Sequence, residues 1–105
     1  MQLLSINYVP GKEIEALGMV KGSVLQTKHM GKDFMAGMKT LVGGEIRSYT
    51  EMLKEARAIA TQRMAEEAMA LGADAVVNVR YASAAVVQGA AEVIVYGTAV
   101  RFINK

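Results

Sequence analysis

The stretch Ser48–Gly72, SYTEMLKEARAIATQRMAEEAMALG, predicts one long amphipathic helix, around which the rest of the fold is arranged. Ser48 and Glu51 have the spacing of a capping box, in which the serine hydroxyl accepts from the Glu51 amide and the carboxylate reaches back. Gly72 suits the left-handed position that follows a helix. The residues from Tyr49 to Leu71 then form a helix about 35 Å long.

Two faces separate when the residues of this helix are placed at steps of about 100°. The polar face carries Glu51, Glu55, Gln62 and Glu66, and the apolar face carries Tyr49, Met52, Ala56, Ile59, Ala60 and Ala70. Arg63 and Glu67 also fall in the apolar sector, four residues apart and of opposite sign. Such a pair is usually a mutual contact whose alkyl stems lie along apolar surface. We therefore predict Arg63 and Glu67 at a subunit interface, where they fix the register, in preference to a ligand site.

A second, shorter helix is predicted upstream. Asp33 is its cap, and its apolar positions follow helical spacing: Phe34, Met38 and Leu41. Gly43–Gly44 end it, so we interpret these glycines as a junction between two helices. The alternative is a backbone nest that binds an anion at the start of the long helix. Glu51 already supplies negative charge there, which favours the junction.

The rest of the sequence predicts four strands: Leu3–Val9, Met19–His29, Ala75–Tyr81 and Glu92–Phe102. Pro10–Gly11 is a turn after the first strand, and Lys12–Gly18 is a further turn or a brief helical segment. Gln88–Gly89 is the expected bend before the last strand.

The order of elements is therefore β-β-α-α-β-β, which indicates an α+β fold over residues 1–105. We expect two layers, with an antiparallel sheet of about four strands and both helices on one face. The strand Glu92–Phe102 is apolar on both sides, and such strands are normally covered on both faces. Because one long and one short helix cover only one face, we expect a second copy of the chain to cover the other.

Composition favours the same conclusion. The chain has 105 residues, of which 52% are hydrophobic, and so much apolar side chain in a small domain indicates a homo-oligomer. The net charge of +2 is mild, and Lys and Arg do not cluster, so nucleic-acid binding is not expected. The sequence has no apolar run of the length that a membrane span needs, so we expect a cytoplasmic protein.

Motifs of known chemistry are sparse. The chain has no cysteine, and its single histidine, His29, would need further ligands to hold a metal ion, so His29 is only a weak metal candidate. Gly11–Lys12 lacks the other residues of a phosphate-binding loop, and no serine lies in a nucleophile elbow. The eight methionines are better explained as core filling than as a soft-metal site.

Three separated blocks resemble one family of small bacterial and archaeal proteins. The blocks are DFMAGMKTLVGGEIRSYTEMLKEAR, ALGADAVVNVRY and GTAV. They occur in the order found in the YbjQ-like family, which is often labelled as heavy-metal-binding. The resemblance covers the chain from Pro10–Gly11 to the last strand.

The resemblance implies a dodecin-like α+β subunit that assembles into a ring, most often a homopentamer. It implies no reaction. Many relatives carry acidic residues after the third strand, where this chain has Tyr81-Ala82-Ser83-Ala84. Because those carboxylates and all thiols are missing, a metal cofactor is poorly supported, and no other cofactor is indicated.

Three functions remain open at this stage. The first is a ring-forming protein that binds a small ligand or ion near its subunit interfaces, through Asp33, Arg47, Tyr49 and Arg57. The second is a scaffold whose ring has no ligand, and the third is an enzyme that uses Tyr49 and Arg57. In each case the expected partner is a second copy of the chain, with Arg63, Glu67 and Tyr96 at the interface. No catalytic residue is assigned.

Overall fold

One helix lies on one face of a four-stranded sheet in the computed structural model, which describes residues 1–27, 43–87 and 89–103, with the backbone alone for 43–48. The elements are β1 (Gln2–Leu3), β2 (Ile14–Thr27), α1 (Gly43–Ala70), β3 (Ala75–Val87) and β4 (Ala90–Phe102). The predicted α+β architecture is confirmed. The predicted short helix that begins at Asp33 lies outside the described residues.

The sheet has the strand order β1-β3-β4-β2. The long strands pair antiparallel, and the β3–β4 hairpin turns at Gly89, which has a positive φ of 79°, so the predicted bend is confirmed. β1 runs parallel to β3. The sheet is therefore mixed, and the prediction of a wholly antiparallel sheet is wrong at β1. The reason is that β1 lies beside β3, and the chain must then cross to the opposite edge to begin β2.

That crossing segment, residues 4–13, explains why the predicted strand Leu3–Val9 is wrong over most of its length. Its apolar residues pack on the end of the sheet face away from α1, in a cluster of Leu4, Val9, Ile14, Ala75, Val77, Val100 and Phe102. Lys12 extends over the Phe102 ring at 5.1 Å. β2 then begins at Ile14, where a turn or helical segment was predicted.

Helix α1 includes Gly43 and Gly44, so the prediction that these glycines separate it from an earlier helix by a non-helical junction is wrong on the α1 side, and so is the capping box at Ser48. The upstream helix of that junction lies outside the described residues. A cap residue has non-helical backbone angles, whereas the helix runs through Ser48 without a break. Glycine in a helix costs about 1 kcal/mol, and the first turn tolerates it because its amides have no intrahelical partner. The 28 residues span about 42 Å, which matches the long strands.

The end of α1 agrees with the prediction. Gly72 has a φ of 81°, its amide bonds to the Met69 carbonyl, and the Ala73 amide bonds to the Ala68 carbonyl. This is the Schellman arrangement, which requires the left-handed conformation at Gly72. The chain then enters β3 directly.

The core lies between α1 and the strands β2 and β4. The buried face of α1 is a row of small or flexible residues, and it packs on buried valines of the sheet: Ala56, Ala60, Met64 and Ala68 against Val20, Val24, Val93 and Val95. Alanine at these positions brings the helix close to the sheet. Gly22 of β2 lies under the helix backbone, where a Cβ atom would be 2.1 Å from the Ala60 carbonyl oxygen.

Helix α1 leaves part of the sheet uncovered. β3 is exposed at each residue from Arg80 to Val87, although its first residues are buried. On the sheet face away from α1, Met19 is 73% exposed, Leu25 61% and Tyr96 41%. Among the described residues, no helix is long and apolar enough to cross a membrane.

Candidate functional site

An open groove lies between α1 and β3. Its lining residues come from the middle of α1 and from two strands: Leu3, Arg57, Ala58, Thr61, Gln62, Ala65 and Tyr81. The groove has a volume of about 570 Å³. Small-molecule sites usually enclose roughly 300–1,000 Å³, so a compact organic molecule fits this groove, which we call the α1–β3 groove.

A β-bulge places Tyr81 in this groove. The β3–β4 register shifts between Val77 and Arg80, and Asn78 has a φ of 56°. Because successive strand residues alternate between faces, one extra residue reverses the faces of those that follow. Tyr81 therefore lies on the α1 side of the sheet. Asparagine is among the few residues that adopt a positive φ readily, which explains the position of the bulge.

A chain of hydrogen bonds orders the polar wall of the groove. The Thr61 hydroxyl donates to the Arg57 carbonyl oxygen at 2.7 Å. The hydroxyls of Thr61 and Tyr81 are 2.8 Å apart. Because a threonine hydroxyl has only one proton, Tyr81 is the donor in this second bond. The oxygen of Tyr81 therefore keeps its lone pairs for an acceptor role towards the groove.

Arg57 gives the groove its charge. Of the described lining residues it alone is charged, and its guanidinium has no hydrogen bond or ion pair with any described residue. Gln62 donates from its amide nitrogen to Glu66 at 3.1 Å, which orients its carbonyl oxygen away from that contact. The groove thus presents a free cation, hydrogen-bonding oxygens and an apolar wall.

The structure brings one of the predicted ligand residues, Arg57, to this groove. Tyr49 is half-buried and lies two turns towards the start of α1, about 12 Å along the helix axis. Arg47 is in α1, but its side chain is outside the description, as are Asp33 and His29. The predicted set is therefore only partly placed, and its ligand role stays a prediction.

The residues predicted for the subunit interface lie at two other places. Arg63 donates to the Ser23 carbonyl oxygen at 2.7 Å, and the Glu67 carboxylate accepts from the Lys21 amide at 2.8 Å. Within this subunit, the Arg63 and Glu67 side chains therefore bond to backbone groups on the outer edge of β2. Tyr96 lies on the sheet face away from α1 and is 41% exposed. Their part in an interface stays a prediction.

Metal binding fits these residues poorly. Within the described residues, no three His, Cys, Asp or Glu side chains form a group that could hold a metal ion. Heavy-metal ions prefer thiolate and imidazole ligands, and the whole chain has no cysteine and one histidine. The donor set of this sequence therefore does not match a soft-metal site.

Sequence reasoning missed Thr61, Gln62 and Tyr81 as groove residues. The helical pattern places Gln62 on the polar face but does not show which strand lies beside that face. Asn78, inside the run Val76–Val79, was the available signal, because it marks a bulge in a strand otherwise rich in valine. The resulting change of face is what brings Tyr81 to α1.

Comparison with known proteins identifies relatives along the whole chain. Residues 1–103 match the family model YbjQ_1, described as "Putative heavy-metal-binding". A UPF0145 protein of Clostridium novyi is 61% identical over 103 residues, which are 98% of this chain and 100% of that protein. A UPF0145 protein of Thermus thermophilus is 60% identical over 98 residues, 92% of this chain and 86% of that protein.

One solved structure has the same fold. It is a protein with unknown function of the DUF74 family from Pediococcus pentosaceus, with a TM-score of 0.66 and 17% sequence identity. The match covers 98% of both chains. At this identity the likeness concerns the arrangement of helix and strands and says nothing of ligands.

Proposed function

We propose that this chain, which belongs to the YbjQ_1 family, is the subunit of a ring-forming homo-oligomer that binds a small ligand at or near its subunit interfaces. The single observation that carries the proposal is the exposed half of β3. This segment, Tyr81–Val87, is uncovered on both faces. No described residue pairs with its outer edge.

The width of one helix explains the exposed segment. A helix is about 10 Å across and strands lie about 4.8 Å apart, so one helix covers about two strands. Helix α1 packs on β2 and β4, and it barely meets β3. A neighbouring copy placed beside β3 would supply the missing layer with its own helix.

The two edges of the sheet differ in a way that favours association through β3. Unpaired backbone groups on an edge strand accept another strand, and charged side chains normally prevent this. Tyr81–Val87 contains no charged residue. On β2, in contrast, Arg63 and Glu67 already bond to the outer backbone groups of Ser23 and Lys21. The β3 edge is thus the open one.

Ligand binding near the interface follows from the position of the α1–β3 groove. Tyr81 belongs both to the groove and to the exposed segment of β3. A second copy beside β3 would close the open side of the groove. An enclosed site binds a small molecule better than an open one, because more of the ligand surface leaves water.

Native mass spectrometry tests both parts of the proposal. We expect a particle of several chains, together with a co-purified mass where ligand is retained. Ala84→Lys places a cation on the exposed segment, opposite Glu92 of β4, so the subunit keeps its fold while the assembly dissociates. Thr50→Lys, on the exposed surface of α1, is the matched control and should leave the assembly intact.

Three outcomes would contradict part or all of the proposal. A wild-type protein that is monomeric in this measurement would contradict ring formation. An intact assembly in the Ala84→Lys variant would show that the β3 edge does not hold the copies together. A ring that never carries or binds a small molecule favours the scaffold function instead.

A further inference from the structure

We infer that the α1–β3 groove binds a small amphipathic organic anion, with its charged head on Arg57 and its apolar body along Leu3, Ala58 and Ala65. The inference deepens the proposed function, because it names the ligand class for the site proposed above. It rests on the groove of a single subunit and does not require the ring to exist.

The charge of the groove selects the sign of the ligand. The Arg57 guanidinium has no partner among the described residues, and the described lining residues include no carboxylate. A guanidinium presents a planar fork of N–H donors that matches a carboxylate or phosphate with two parallel bonds. A cationic ligand would meet an unpaired positive charge here, so it is disfavoured.

The apolar lining selects a ligand with a hydrocarbon body. Leu3, Ala58 and Ala65 line the groove beside the polar groups. A free inorganic anion would leave this surface in contact with water. An aliphatic chain of several carbons covers it, and each buried methylene contributes about 0.8 kcal/mol. Both parts of the groove are used only when one molecule carries a charged head and an apolar chain.

The hydroxyl groups indicate a further feature of the ligand. The Thr61 proton is donated to the Arg57 carbonyl and the Tyr81 proton to Thr61. The Tyr81 oxygen can therefore accept a further hydrogen bond but has no proton left to donate. A hydroxyl or amino group near the charged head would donate to it. Hydroxylated carboxylates thus satisfy more of this groove than simple ones do.

Isothermal titration calorimetry with octanoate tests the inference, and octanamide is the neutral probe of the same length. We expect octanoate to bind the wild-type protein about fivefold to tenfold more tightly than octanamide does. Arg57→Gln should weaken octanoate binding by about fivefold to tenfold and leave octanamide unchanged. Lys21→Gln, which removes one positive charge from the opposite sheet face, should leave both affinities unchanged.

A second variant fills the groove. Ala58 is exposed on α1, so Ala58→Phe keeps the helix while its ring occupies the apolar wall, and octanoate binding should be lost. Equal octanoate affinity in wild type and Arg57→Gln overturns the inference, as does an absence of octanoate binding to a folded wild-type protein.

Sedimentation of the same samples separates the two proposals. A ring whose octanoate affinity is unaffected by Arg57→Gln refutes the ligand class and leaves the assembly standing. A monomer that binds octanoate through Arg57 supports the ligand class and refutes the assembly.

Discussion

Replacing Gly22 with alanine tests the central packing contact of the fold. Gly22 lies in β2 directly beneath α1. An added Cβ atom would be 2.1 Å from the Ala60 carbonyl oxygen, 2.6 Å from the Met64 amide nitrogen and 3.0 Å from the Arg63 Cβ. The two nearest atoms belong to the helix backbone, so no side-chain rotation relieves the contact. Helix α1 must move away from the sheet.

The size of the effect follows from this displacement. Non-bonded atoms need about 3.5 Å, so the helix must rise by roughly 1.4 Å from the 2.1 Å contact. Overpacking of this kind costs about 1–3 kcal/mol. The same movement stretches the bonds from Arg63 to Ser23 and from Lys21 to Glu67, and each is worth about 0.5–1.5 kcal/mol. We expect Gly22→Ala to lower the free energy of unfolding by about 2–6 kcal/mol.

Urea unfolding followed by far-ultraviolet circular dichroism measures this change. Ser23→Ala is the matched control, since it changes the next residue of β2, whose side chain is exposed on the other face. It should alter the free energy of unfolding by less than about 0.5 kcal/mol. If Gly22→Ala is as stable as the wild type, the helix does not touch the strand backbone at this position and the reasoning is refuted.

Substitutions at three further positions are measured by the same unfolding assay. Gly97→Ala should lower the free energy of unfolding by about 1–3 kcal/mol, because a Cβ there would be 2.7 Å from Val76 Cγ1 and 2.9 Å from a backbone carbonyl oxygen. A Gly97→Ala variant as stable as the wild type would contradict this. Asn78→Val should lower the free energy of unfolding by about 1–2 kcal/mol, since Asn78 has a φ of 56°. Asn78→Gly should leave the stability close to that of the wild type. Arg101→Ala should leave the unfolding midpoint unchanged: a hydrogen bond to Glu15 raises the pKa of Arg101, but both side chains are about half exposed.

The features that sequence predicted correctly are those set by local patterns. The part of α1 from Tyr49 onwards follows from helical periodicity, and its end follows from Gly72, whose left-handed conformation depends only on neighbouring residues. The bend at Gly89 was also predicted, although the strands on either side of it run to Val87 and from Ala90, beyond the predicted limits of Tyr81 and Glu92. These elements require no knowledge of distant contacts.

The features that sequence did not predict depend on contacts between distant residues. α1 extends back to Gly43 despite its glycines, because propensity is a weak guide when tertiary packing decides. The crossing of residues 4–13 depends on the strand order, which brings Val9 over Val77 and Val100. The groove depends on the bulge at Asn78 that turns Tyr81 towards Thr61. Periodicity alone carries none of this information.

Sedimentation velocity of the wild-type protein at micromolar concentration measures whether the chain assembles. We expect a single species several times heavier than the 11.3 kDa chain, close to five times for the ring that the family resemblance implies. Ala84→Lys should shift this species towards the chain mass. A stable, folded wild-type species of 11.3 kDa would contradict the claim that the exposed half of β3 is covered by a second copy.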